Sequence, residues 1–144
     1  MAKTILQLID GDWVESRSRE LIEVTDPATQ HVLALAPKAT HEEIEAAIAS
    51  AKQAFLSWRE VPVSDRARLM LRYQHLLKEH HDELAEILAA ETGKTFADAK
   101  GDVWRGIEVV EQAANIASLM MGETMENVAR GIDTASWMQP LGVC

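Results

Sequence analysis

Between Thr95 and Met121, the residues Phe96, Ala99, Val103, Ile107, Val110, Ala114, Ala117 and Met121 recur at three- and four-residue steps. That spacing marks one face of an α-helix, so the stretch predicts a helix that must bury one side. At about 100° per residue, Arg105 falls roughly 200° around from Val103, on the side away from the stripe. Gly101 precedes Arg105 by one turn on the same side, and Gly106 follows it directly. Each glycine costs about 1 kcal/mol relative to alanine inside a helix, so two beside one arginine point to a close approach. A guanidinium with cleared space beside it can take a carboxylate through two parallel hydrogen bonds. It can equally pair with Glu108 one turn on, and spacing alone favours that plainer account.

What precedes this helix changes character at Thr40. Up to there the chain reads as short strands. Gln7-Leu8-Ile9 and Asp12-Trp13-Val14 flank Asp10-Gly11, a pair suited to a two-residue hairpin because both positions tolerate positive φ. Leu21 to Val24 and Val32 to Ala36 are further strand candidates, stopped by Asp26-Pro27 and by Pro37. Such strands are too short and too few to stand alone, so other elements must cover them. Thr40 and Glu43 have the spacing of a capping box, and Ile44, Ala47, Ile48, Ala51, Phe55 and Trp58 then form one apolar face. Pro62 ends that helix, and Ser64 is the expected cap of the next. This second helix, Asp65 to about Thr92, carries Leu69, Tyr73, Leu76, Leu77, His80, Leu84, Ile87 and Leu88 and would be about 40 Å long.

Past Met121, Gly122 is a stop and Gly131 a turn. Ile132 to Gln139 reads as a strand of mixed polarity, and Leu141 to Cys144 as the start of another. A chain end on the opening residues of a buried strand would leave backbone groups without partners, so the natural chain is expected to continue.

Composition narrows the function classes. The 144 residues, 47% of them apolar and 26% charged, suit a globular fold. A net charge of -9 without a basic cluster argues against nucleic acid and anionic membrane as partners. No segment reads as a signal peptide or membrane span. The one cysteine excludes an internal disulfide and suits the reducing cytoplasm. Cys144 lies in apolar strand context, which points to packing rather than nucleophilic work. His75, His80 and His81 lack the spacing that sets two ligands on one helical face, and no metal site is expected. Gly93-Lys94-Thr95 lacks the first glycine of a phosphate loop, since position 88 is Leu; Gly93 reads as a helix C-terminal cap. No nucleophile, base and oxyanion site assembles from these residues.

The order of short motifs adds what spacing does not. Leu8-Ile9-Asp10-Gly11-Asp12-Trp13-Val14, Asp26-Pro27-Ala28-Thr29, Ala54-Phe55-x-x-Trp58 with Arg66-Ala67-Arg68, Asp82-Glu83-Leu84-Ala85 and Glu91-Thr92-Gly93-Lys94 together resemble the opening of the aldehyde dehydrogenase superfamily. Arg105-Gly106-Ile107-Glu108-Val109-Val110-Glu111, Ser118 to Glu123 and Pro140 to Cys144 resemble its CoA-acylating methylmalonate-semialdehyde dehydrogenases, which also accept malonate semialdehyde. The chain departs from the superfamily's Asn-Pro-Ala-Thr-Gly at Asp26 and Gln30.

The resemblance implies an α/β fold, the N-terminal portion of the aldehyde dehydrogenase fold. A β-rich region, 1–39, and a helical region, 40–121, would lead to a strand arm and next-strand start, 122–144. It implies NAD as cofactor, CoA as co-substrate, a small semialdehyde substrate and a homo-oligomer, dimer or tetramer. The acyl product would be propionyl-CoA or acetyl-CoA, with loss of carbon dioxide. The family's nucleophile and dinucleotide site match nothing in this chain, so the 144 residues alone are expected to be inactive. One position carries over: Arg105 matches the subfamily's arginine that holds the substrate carboxylate. A hydrolytic aldehyde dehydrogenase and a self-contained helical binding module are the alternatives.

Overall fold

The computed structural model describes residues 2–144. Its N-terminal part is a three-stranded sheet of β1 (Lys3–Thr4), β4 (Leu21–Thr25) and β5 (Val32–Pro37), beside a hairpin of β2 (Gln7–Ile9) and β3 (Asp12–Val14). The sheet order is β1-β5-β4, with β1 parallel to β5 (Lys3 opposite Ala34) and β4 antiparallel to it (Glu23 opposite Leu35). Two-residue β1 carries no sequence signal of its own and forms because the edge of β5 offers it a ladder. The Asp10-Gly11 turn is as predicted, with φ 57° and 85° at its two central residues.

The β4–β5 connection is a compact turn. The Asp26 carboxylate accepts from the Ala28 N–H at 2.8 Å and the Thr29 hydroxyl at 2.9 Å. The Thr29 hydroxyl, then the Ala28 N–H, hold the Asp26 carboxyl below the usual carboxylate range. Gln30 closes the turn at φ 63°, where the superfamily's glycine would be at no steric cost.

Helix α1 (His41–Trp58) opens on the expected capping box. The Glu43 carboxylate accepts from the Thr40 N–H (2.8 Å) and also reaches back to the Ser16 hydroxyl (2.9 Å) and the Arg17 N–H (2.6 Å). It therefore fastens the polar 16–19 connection to the helix start. The Arg17 and Thr40 N–H groups lower the Glu43 pKa. A depressed carboxyl contributes stability above its unfolded value, lost as pH falls through the native one. Glu43→Gln should therefore lower stability at pH 7 and flatten the acid limb of the stability curve below about pH 4.3. Urea unfolding of both proteins across pH 3–7 checks this; equal acid slopes would refute it.

The second helix is two. α2 (Val63–Glu79) ends at His80 and α3 (His81–Thr92) sets off in a new direction, with His80 at φ -97°, ψ 17°. Both pack against α4 (Phe96–Ala114), and one straight 40 Å rod could not lie along a shorter partner twice. Pro62, not Ser64, is the N-cap of α2, and Ser64 sits inside the first turn. α4 also stops earlier than its stripe predicts: Asn115 interrupts it before α5 (Ile116–Leu119). The break shifts the phase by one residue, so Ala117 and Met121 are exposed while Ile116 and Met120 turn partly inward.

The core is where α2 and α3 meet α4. Ala85 on α3 and Ala99 and Ala114 on α4 are buried small residues that let the helices approach, and Ile107 of α4 is the largest fully buried side chain between them. The outward run of α2, Leu69, Tyr73 and Leu76, remains exposed, as do Ile44 and Trp58 of α1, which was expected to pack. The chain exposes 11243 Å², against about 7,400 Å² for a self-contained monomer of this length. Apolar helix faces are therefore left uncovered within these residues.

A final hairpin, β6 (Thr124–Ala129) with β7 (Ile132–Ala135), is exposed throughout. β6 was not foreseen, and β7 ends four residues before Gln139. Its continuation is tied at the base by the Ser136 N–H, which donates to the Glu123 carbonyl at 2.8 Å, and a Cβ on Gly122 would overlap the Ser136 carbonyl oxygen. Residues 141–144 form no strand, and Cys144 is exposed rather than packed.

Candidate functional site

Arg105 lies on the solvent side of α4, as its phase requires, while Ile107 two residues on is fully buried. Its side chain is 77% exposed, and Nη1 donates to the Glu108 carboxylate at 2.6 Å. Spacing alone favoured this ion pair, and it forms. Exposed pairs one turn apart contribute about 0.3–0.5 kcal/mol, too little to explain two helix-weakening glycines. A Cβ added at Gly101 or Gly106 would meet nothing within 4 Å, so the expected clearance is present and open. Arg105 borders a shallow depression with Ala97, Asp98, Gly101, Asp102 and Trp104.

The groups around it are committed elsewhere. The Asp98 carboxylate accepts from the Thr95 hydroxyl at 2.7 Å, within the N-terminal cap of α4. Asp102 pairs with Lys94. Trp104 meets His81 edge-on at 6.0 Å, and the Lys78 ammonium lies 5.3 Å from its ring centroid. Further along, Glu111 accepts from Gln74 at 2.6 Å and Lys78 at 3.1 Å, which lowers its pKa, Lys78 first. His81 bonds the Lys100 carbonyl at 2.9 Å, and Lys100 pairs with Asp82 at 2.6 Å. These ties fix α2, α3 and α4 to one another and so fix the direction in which Arg105 points. Periodicity gave no hint of them.

The Glu-Thr-Gly-Lys stretch is structural here. Gly93 caps α3 at φ 72°, and a Cβ on it would come within 2.7 Å of Pro27 Cγ. Thr95, the next candidate phosphate contact, is the N-cap of α4 and accepts from the Asp98 N–H. No cradle for a dinucleotide pyrophosphate is left at this loop. Among the described residues no group of three His, Cys, Asp or Glu side chains is placed to hold a metal ion. His75 and His80 lie beside Glu79 and Glu83, at 3.5 and 2.8 Å. Cys144 Sγ lies 3.9 Å from the Gly142 carbonyl. No helix is long and apolar enough to cross a membrane among the described residues.

Known proteins share this architecture. The Aldehyde dehydrogenase family profile matches residues 13–144. The human methylmalonate-semialdehyde/malonate-semialdehyde dehydrogenase (acylating, mitochondrial) is 48% identical over 141 residues, 98% of this chain and 26% of that protein. A Sinorhizobium meliloti protein assigned as a methylmalonate-semialdehyde dehydrogenase, solved in complex with NAD, superposes with a TM-score of 0.93 at 37% identity, over 99% of this chain and 29% of its own. The methylmalonate-semialdehyde dehydrogenase of Oceanimonas doudoroffii gives 0.91 at 39% identity, over 98% and 28%. The chain spans about a quarter of the length of the curated relatives it matches. On the match across residues 13–144 and on a shared fold, the chain belongs to the aldehyde dehydrogenase family and corresponds to its N-terminal part.

Proposed function

We propose that residues 1–144 serve within an NAD-dependent, CoA-acylating dehydrogenase that converts methylmalonate or malonate semialdehyde to propionyl-CoA or acetyl-CoA with loss of carbon dioxide. The observation that carries this reading is Arg105. It is a solvent-facing guanidinium flanked by two open glycine faces, in a chain whose relatives are named for carboxylate-bearing aldehydes. Among the described residues its fork is engaged only through Nη1, by the exposed Glu108 carboxylate, a partner that another carboxylate can replace. Arg105 would hold the substrate's carboxylate and so fix where the aldehyde carbon falls.

The Gly93–Thr95 loop is taken up by two helix caps and does not fit the NAD phosphates, so NAD binding is assigned to other parts of the enzyme. NAD in the solved relative supports it as the cofactor. The division into a β-rich 1–39, a helical 40–121 and an exposed strand arm within 122–144 belongs to the same reading. So does the placement of the enzyme in the cytoplasm, as a homo-oligomer joined through that exposed arm.

The test uses the complete enzyme with malonate semialdehyde and NAD, with and without CoA. The expected product is acetyl-CoA by mass spectrometry, with turnover dependent on CoA; free acid at the same rate without CoA would favour the hydrolytic alternative. The 144-residue chain alone is expected to produce no NADH under these conditions.

A further inference from the structure

We propose that Glu108 is an internal competitor for Arg105: its carboxylate occupies the guanidinium until a substrate carboxylate displaces it, and it thereby sets how tightly acidic substrates bind. This rests on the reading of Arg105 given above and deepens it. At 2.6 Å from Nη1, the Glu108 carboxylate is chemically what the substrate would present to the same fork. Its neighbours are held by other partners: Asp98 by the Thr95 hydroxyl, Asp102 by Lys94 and Glu111 by Gln74 and Lys78. Among the described residues, the Glu108 side chain is bonded only to Arg105, so it can swing away without breaking another hydrogen bond or ion pair.

Two consequences follow from charge. With Glu108 in place the pair is neutral, and an incoming carboxylate meets a guanidinium whose field is already cancelled. If Glu108 stays while substrate binds, two anions share one cation, so their repulsion drives the glutamate out. Both effects weaken binding of acidic aldehydes and leave uncharged ones untouched. The pair itself is 77% and 41% exposed, which makes it a weak latch rather than a fixed strut.

Glu108→Gln in the complete enzyme keeps the side chain's length and removes only the charge. The expected result is a KM for malonate semialdehyde lower by about 2- to 10-fold, with the KM for propionaldehyde unchanged. A KM for malonate semialdehyde that rises would show that Glu108 orients Arg105 rather than competes for it, and would overturn the proposal. An equal change for both aldehydes would overturn it also, since a merely structural role moves both. Arg105→Ala, run in parallel, separates the two levels. If it leaves the KM for malonate semialdehyde unaltered, both readings fall. If it raises that KM while Glu108→Gln lowers nothing, only the competition by Glu108 falls.

Discussion

Arg105→Ala in the complete enzyme is expected to raise the KM for malonate semialdehyde while leaving that for an uncharged aldehyde of similar length within about twofold. Truncating one partner of a desolvated charge pair costs about 2–5 kcal/mol, or roughly 30- to several-thousand-fold. The effect concerns the pair that Arg105 makes with bound substrate, not the weak exposed pair it makes with Glu108. A substrate bound against this face of α4 would strip water from the guanidinium. Steady-state kinetics on the paired substrates decide the matter. An equal loss on both would make Arg105 a structural residue, acting through Glu108 and the helix surface alone. A loss confined to kcat would place it in the chemistry instead of in binding.

Gly93→Ala is the second large effect, and it acts on stability. Two penalties fall on one methyl group. At φ 72° an L-residue with a Cβ is strained by about 1 kcal/mol or more. The Cβ would also sit 2.7 Å from Pro27 Cγ, part of a ring that cannot rotate away. Together these are expected to cost about 2–4 kcal/mol, read as a lower denaturant midpoint. The double mutant with Pro27→Ala removes the obstructing ring carbon and should recover the steric part. Strict additivity of the two single mutants would show that Pro27 and Gly93 do not meet as described. Gly93→Asn gives an independent check: asparagine tolerates this φ but keeps the Cβ, so it should rescue little.

That contact shows how far the sequence alone reaches. Gly93 was legible as a helix C-cap, and Asp26-Pro27 as a turn, each from local chemistry. Their meeting joins the strand region to the end of α3 across more than sixty positions of sequence, and no local pattern records it. The same holds at Glu43. Its capping box was visible at a spacing of three, whereas its grip on Ser16 and Arg17 depends on how the connection folds back.

The helices divide in the same way. The stripe from Phe96 to Ala114 predicted α4 and its buried line through Ala99 and Ile107, because a period near 3.6 survives any tertiary context. The breaks at His80 and Asn115 were missed, since neither carries proline or glycine; each arises where a helix must turn to keep contact with its neighbours. Strand β1 was missed because two residues hold no period, and residues 141–144 were misread because an apolar tetrad makes a strand only where a ladder partner exists.

By itself, then, the sequence determined the helical phases, the caps, the hairpin turn and the family, all of which depend on residues close together or on motif order. It also set Arg105 on the outer face of its helix. Only the tertiary structure decided that Gly101 and Gly106 open onto free space and that Gln74, Lys78, His81 and Asp82 tie α2 and α3 to α4. Those outcomes are set by which of several compatible partners lies within about 3 Å, a distance that chain folding fixes and periodicity does not.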